Sequence, residues 1–347
     1  MQVKTDRHTD RSRPPAWHTV ALALVVRELN EDTNIERVCT MAVATAIPTR
    51  GERPLIAHPS GSTQPTCLLV ATDLGARCDR AVDRAAQLAR QWQAELIALN
   101  VLDVTSAPDQ AMAWAAGKSD EQALQVAWQQ LARDLSGLDV RATMRIARSR
   151  DAARTIRELA ASNDCSLVVV GLACNEIDRL LRSSTVERLV RSLHLPLLAV
   201  RQRAHRPYRR IVVATDFSAP SRQALETAAR FFPGCELVLY HARQTAHSAT
   251  LDKRLDPPGG DVEQDIRARF PAMGELPVDV TLRPVIEHGA LETALTQYVR
   301  KNDIDLVVMG TRGRGMAMSI LLGSHAAKLL NWLPCDVLVV REAGVSA

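Results

Sequence analysis

The sequence predicts an α/β fold built as two tandem open parallel-sheet domains, with helices on both faces of each sheet. Three observations carry this. First, the chain has 347 residues, a length that favours two domains over one. Second, two segments read alike: TCLLVATDLGARCDRAVDRAAQLA from Thr66 and YRRIVVATDFSAPSRQALETAARF from Tyr208. Third, the likeness returns further on, with LVVVG ending at Gly171 and LVVMG at Gly310, and with LPLLAVR ending at Arg201 and LPCDVLVVR at Arg341. An offset held across a domain's length marks a duplicated domain rather than a solenoid repeat.

Each copy alternates strand-like and helix-like stretches. In the second copy, Ile211 to Thr215 is a run rich in branched residues that suits a strand buried on both faces. Ser218 is placed to cap a helix through Arg230. Glu236 to His241 reads as a strand, and Asp261 to Phe270 as a helix after a Pro-Pro-Gly-Gly loop. Val278 to Ile286 is a third strand, Gly289 to Lys301 an amphipathic helix, and Ile304 to Met309 a fourth strand. A helix over Ser324 to Asn331 and a strand over Val337 to Arg341 complete the copy. The first copy follows the same order from Cys67 to Arg201. Alternating βα units give a parallel sheet covered on both faces.

The expected boundaries are residues 64–202 for the first domain and 207–342 for the second. Gln202 to Pro207 forms a linker too short for wide independent motion. Residues 1–63 lie outside the repeat. They are expected to be a disordered extension, with a helix over Trp17 to Asn30 as the one candidate element.

Composition narrows the function. The nonpolar share of 46% is that of an ordinary globular chain. The formal net charge of +4 is too mild to argue for nucleic acid or an anionic membrane. No apolar run approaches the ~20 residues that span a bilayer. The seven cysteines include no C-x-x-C pair, which fits a reducing compartment and a cytoplasmic location. The Arg-rich stretch from Arg201 to Arg210 holds one aromatic and reads as solvated linker.

The segment with chemical content is MGTRGRGMAMSILLGSHAAKLL from Met309. Gly310 ends an apolar strand, Gly313 follows three residues on, and Gly323-Ser324 precedes a helical pattern. Glycines allow positive φ and close backbone approach, and successive N–H groups form an anion-binding nest. Ser324 stands at a helix start, where free N–H donors and the dipole favour phosphate. Arg312 and Arg314 can offset more of its charge. The loop follows the carboxyl end of a parallel strand, where open α/β sheets bind ligands.

Asp216 at a strand end, the G-x2-G-x9-G-S loop and the terminal LPCDVLVVR together resemble the universal stress protein family. The resemblance runs from about Cys67 to Glu342. It implies an adenine-nucleotide α-hydrolase-like fold, and ATP, with or without Mg2+, as the ligand. By resemblance, the loop holds phosphates and ribose through Gly310, Gly313, Gly323 and Ser324. Asp216 lies against the nucleoside, and backbone just after the second strand, at Ala242, contacts adenine. The resemblance further implies a regulatory protein of the stress response, with the two domains paired within the chain, a homodimer as a further assembly, and a protein partner that reads the bound state.

The first copy departs from this pattern. Asp73 and Gly171 remain, but Cys174 replaces the second glycine. Ser183-Ser184 or Ser184-Thr185 replaces Gly-Ser, and Glu176 and Asp178 enter the loop. Nucleotide is therefore expected in the second domain alone. No Walker A, dinucleotide or nucleophile-elbow motif is present. No general base or metal-binding carboxylate pair accompanies the loop, so no catalytic residue and no protein-held metal is assigned, and slow ATP hydrolysis is the most an enzyme reading allows. A nucleotide-free scaffold is the other alternative. His241, His288 and His325 are read as polar residues at element ends, with His325 the one nearest the phosphate turn.

Overall fold

The structure is a computed structural model and describes residues 25–27, 37–43, 64–76, 78–102, 120–172, 185–243, 280–311 and 324–341. In the first half β3 (Cys67–Thr72), β4 (Glu95–Leu102), β5 (Ala142–Arg148), β6 (Leu167–Gly171) and β7 (Leu197–Val200) alternate with α1 (Asp79–Trp92), α2 (Asp120–Leu135), α3 (Ala152–Ser162) and α4 (Thr185–Ser192). The second half repeats this with β8 (Arg210–Ala214), β9 (Glu236–Arg243), β10 (Thr281–His288), β11 (Leu306–Thr311) and β12 (Asp336–Arg341). Its helices are α5 (Ala219–Phe231), α6 (Leu291–Lys301) and α7 (Ser324–Trp332). The helix read over Asp261 to Phe270 lies outside the described residues.

Within each half all pairings are parallel, in the orders β5-β4-β3-β6-β7 and β10-β9-β8-β11-β12. Each order reverses direction beside its first strand, between β3 and β6 and between β8 and β11. Those are the switch points at which doubly wound sheets open a crevice. The strands earn burial on both faces from runs such as Leu306–Thr311, where four consecutive residues are buried.

The two half-sheets join edge to edge. β7 and β12 pair antiparallel, with Leu197 opposite Val339, Leu198 opposite Leu338 and Ala199 opposite Val337. The result is one twelve-stranded sheet. One core, lined by α1, α2 and α5, covers one face, and a second, lined by α3, α4, α6 and α7, covers the other. Both cores run through the join without a break in apolar contact. On the first face Trp92 of α1 meets Phe231 of α5 and Phe232 just after it at ring distances of 5.5 and 5.8 Å. Each such pair adds about 0.5–1.5 kcal/mol beyond its area.

The linker is fastened at both ends. Asp336 is fully buried. Its Oδ1 accepts the backbone N–H groups of Arg201 and Gln202 at 2.7 and 2.8 Å, and its Oδ2 accepts the Tyr208 hydroxyl at 2.6 Å. The Arg84 guanidinium of α1 lies 3.3 Å from the same oxygen and covers the Tyr208 ring at 4.2 Å. Burial, and then the Asp336 charge, push the Tyr208 hydroxyl well above its ordinary pKa. Asp305 accepts the N–H groups of Arg209 and Arg210 at 2.9 and 3.0 Å. Arg203, Arg206, Arg209 and Arg210 of the Arg-rich stretch are exposed, as read, while the two buried carboxylates take the backbone N–H groups of Arg201, Gln202, Arg209 and Arg210.

Two short strands stand in the N-terminal segment. β1 (Val25–Arg27) pairs antiparallel with β2 (Arg37–Val43), and β2 pairs antiparallel with β5 along its length. Val25–Arg27 is thus strand where the sequence suggested helix, and the expected absence of order fails at these two strands. The physical reason is the edge of β5. Its unpaired peptide groups offer hydrogen bonds that no local pattern in the N-terminal segment reveals.

Candidate functional site

The crevice of the second half is built where β8 stops and β9 continues. β8 ends at Ala214, and the Thr215 N–H still donates to the Tyr240 carbonyl at 2.9 Å. Peptide groups two residues apart on a strand face the same side. The Ala242 N–H and carbonyl therefore point toward the side that β8 has left. Ala242 lies inside β9 rather than just after it, because pairing with Glu287 of β10 carries the strand to Arg243. The predicted strand end at His241 is corrected by two residues. The direction of the Ala242 backbone nevertheless suits contact with the edge of a flat ligand.

The strand-end turn is specified by short polar links. The Phe217 N–H donates to Thr215 Oγ1 at 3.0 Å, and Thr215 Oγ1 meets Ser221 Oγ at 3.0 Å. Ser221 Oγ donates to the Ser218 carbonyl at 2.8 Å. Phe217 adopts a left-handed φ of 65°, unusual for a bulky residue and a form of strain that gathers at functional turns. Its ring packs against His241 at 4.6 Å, and His241 Nδ1 lies 2.8 Å from the Thr215 carbonyl. His241 thus braces the turn from within β9 rather than from its end.

Asp216 is exposed at the tip of this turn. Its Oδ1 accepts the backbone N–H of Ser218 at 3.0 Å and also the Ser218 hydroxyl. Ser218 occupies the N-cap position of α5 without capping it, and its hydroxyl donates to Asp216. Partial burial raises the Asp216 pKa, but the Ser218 hydrogen bonds outweigh it and hold the carboxyl below its ordinary value. The turn therefore presents an ionised acceptor at the mouth of the crevice.

Gly310 lies on β11 beside the start of α5. A Cβ built there would stand 2.1 Å from the Pro220 carbonyl oxygen and 2.8 Å from the Ser221 nitrogen. Gly310 therefore has a packing role beside the phosphate contact expected of it. Its missing side chain is needed for the approach of α5 to the strand. Next to it, Thr311 Oγ1 is buried with no hydrogen-bond partner among the described residues. That residue was not singled out in the sequence. An orphaned hydroxyl beside the crevice is the signal the structure adds.

Ala214 and Ala242 both pack on the α6–α7 face of the sheet, so small side chains line both strands beside the crevice. α7 begins at Ser324, as expected. Gly313 and Gly323 lie outside the described residues, as do Arg312, Arg314 and the side chains of Ser324 and His325. His288 closes β10.

The first half repeats the turn. The Leu74 N–H donates to Thr72 Oγ1 at 3.0 Å, the Gly75 N–H to Asp73 Oδ1 at 2.8 Å, and Leu74 has a φ of 59°. Asn100 stands in the place of His241 and donates to the Thr72 carbonyl at 2.9 Å. Val101, the next residue of β4, takes the place of Ala242. The larger branched side chain narrows the matching position, a second departure besides the loop. Cys174, Glu176, Asp178, Ser183 and Ser184 lie outside the described residues, and Thr185 opens α4.

Fold and crevice together define a doubly wound α/β protein carried twice in one chain. Residues 67–201 and 207–341 each match the Universal stress protein family, so the chain belongs to that family. A universal stress protein of Thermus aquaticus is 28% identical over 144 residues, covering 39% of this chain and 99% of its own. A universal stress protein A homolog of Coxiella burnetii is 31% identical over 139 residues, covering 38% and 96%. Among solved structures, a universal stress protein of Archaeoglobus fulgidus covers 82% of this chain and 99% of its own, with 20% identity and a TM-score of 0.58. A functionally unknown protein of Pseudomonas aeruginosa covers 81% and 94%, with 18% identity and a TM-score of 0.51. At these identities the structures establish the fold, which is adenine-nucleotide α-hydrolase-like. Among the described residues, no helix is long and apolar enough to cross a membrane.

Proposed function

We propose that the chain is an ATP-binding regulatory protein of the stress response, with one nucleotide held by residues 207–342. The observation that carries this reading is the crevice at the β8–β11 switch point, where the Ala242 peptide groups face the side vacated by β8. In this reading adenine lies against Ala242, and the ionised Asp216 accepts a hydrogen bond from the nucleoside. Gly313, Gly323 and the N-terminus of α7 at Ser324 cradle the phosphates, with Mg2+ as counter-ion where one is bound. Gly310 contributes by setting α5 against β11. Residues 64–202 supply a paired domain that binds no ATP. The protein acts in the cytoplasm by presenting its nucleotide state to a protein partner. No side chain is assigned to chemistry.

The test is isothermal titration of nucleotide-stripped protein with magnesium and ATP. One site per chain is expected. Gly323→Val should remove it, because a β-branched residue blocks backbone approach to the anion. Cys174→Ala should leave stoichiometry and affinity unchanged. Two equivalent sites, or binding that survives Gly323→Val, would overturn the assignment.

A further inference from the structure

Away from the crevice, two thiols meet at the amino ends of the neighbouring strands β3 and β6. Cys67 opens β3, Cys165 lies two residues before Leu167 of β6, and their sulfurs are 3.2 Å apart. The backbone holds them there. The Ser166 N–H donates to the Cys67 carbonyl at 2.8 Å and the Cys165 N–H to the Ala160 carbonyl at 3.0 Å. Asp164, just before, takes a left-handed φ of 49°. From the register of Leu68 with Leu167, Cys165 stands one residue out of step with Cys67 across the two strands. The sulfurs need to close by only about 1.2 Å to reach bonding distance.

The fold does not demand this pair. Arg210 and Ile304 hold the corresponding positions in the second half, counted from the register of Ile211 with Leu306 against that of Leu68 with Leu167. Cys78, Cys235 and Cys335 stand on other parts of the fold, and burial pushes the Cys78 thiol up to about 12. The two partners differ in access: Cys67 retains 9% of its surface and Cys165 3%. We propose that Cys67 and Cys165 are a thiol–disulfide switch that a peroxide closes and a dithiol reopens. Exposure and polarity assign the roles. The contact between the two thiols outweighs burial and the nearby Glu95 and Asp164 charges in lowering the Cys67 pKa, and the same contact with burial raises that of Cys165.

The chemistry balances with hydrogen peroxide as the oxidant. The Cys67 thiolate attacks one peroxide oxygen, forming an S–O bond as the O–O bond breaks, and the leaving hydroxide takes the Cys165 proton. Cys165 sulfur then attacks Cys67 sulfur, forming the S–S bond as the S–O bond breaks. The second hydroxide leaves as water with a proton from solvent. The thiols lose two electrons, and the peroxide becomes two waters. A dithiol reverses the step by exchange. A transient disulfide of this kind is compatible with a reducing compartment. It would tie together the two strands that flank the first-half switch point.

The test uses the reduced full-length chain, treated folded with hydrogen peroxide, quenched with an alkylating agent and digested without reductant. The expected result is a Cys67–Cys165 linked peptide lighter by two hydrogens, two thiols lost per chain, and full recovery with dithiothreitol. Cys165→Ser should instead accumulate a Cys67 sulfenic acid that dimedone traps, and Cys235→Ser should leave the linked peptide unchanged. If Cys67 and Cys165 both remain alkylatable after peroxide, or if the linked peptides join other cysteines, the proposal is wrong. Wild-type mapping decides the matter even where a variant fails to fold.

Discussion

Single residues in this protein do work that their type suggests but their position redefines. Gly310 is legible in the sequence as a glycine that must remain small, yet its reason lies in tertiary packing. The first turn of α5 rests against it, with Pro220 backbone where a side chain would be. Gly310→Ala should therefore destabilise the folded chain by about 1–3 kcal/mol, the ordinary cost of overpacking. Urea unfolding checks this, and a midpoint equal to wild type would remove the packing argument. Phe217 shows the opposite case. Nothing in Asp216-Phe217-Ser218 marks a left-handed φ, since bulky residues avoid it. Only the stack on His241 and the link to Thr215 Oγ1 explain why it is held there.

At the scale of elements, the strands were the most legible part, because buried parallel strands are written as apolar, branched runs. The boundaries slipped where pairing, not composition, decides them. β9 continues through Ala242 and Arg243 because β10 runs alongside. β1 and β2 escaped notice because an edge-covering strand needs only a partner, not a strong signal of its own. The join of α1, the linker and β12 was also hidden, since it depends on residues 84, 208 and 336 converging from distant parts of the chain. Asp336 anchors it. Asp336→Ala would strand the buried Arg84 guanidinium and three hydrogen-bond donors, the Arg201 and Gln202 N–H groups and the Tyr208 hydroxyl. A loss of about 3–5 kcal/mol in unfolding free energy is expected. A loss below 1 kcal/mol, measured by denaturant titration, would mean that water replaces the carboxylate.

At the scale of the molecule, the repeat predicts the architecture of each half, while the relation between the halves is visible only in the structure. One sheet and two shared cores cross the join. The halves should therefore melt together. Calorimetry is expected to show a single transition with matching calorimetric and van't Hoff enthalpies; two resolved transitions would show that the halves are thermodynamically separate. Because β7 and β12 run antiparallel, the carboxyl ends of the two parallel sets lie at opposite margins of the sheet. The two crevices consequently open in opposite directions, and a partner seated over one does not touch the other.

The antiparallel seam between β7 and β12 has a consequence for how this protein can change. In a pair of identical subunits, every substitution strikes both binding sites at once, so neither can be lost alone. Here the two faces of the seam belong to one polypeptide, and symmetry no longer couples their fates. The first copy can fill its crevice with Val101 and exchange loop glycines for Cys174 and serines while still presenting an intact seam. The second copy keeps its small residues under separate selection. A seam that stays intact while the two crevices differ in sequence is the freedom that joining both faces in one polypeptide confers.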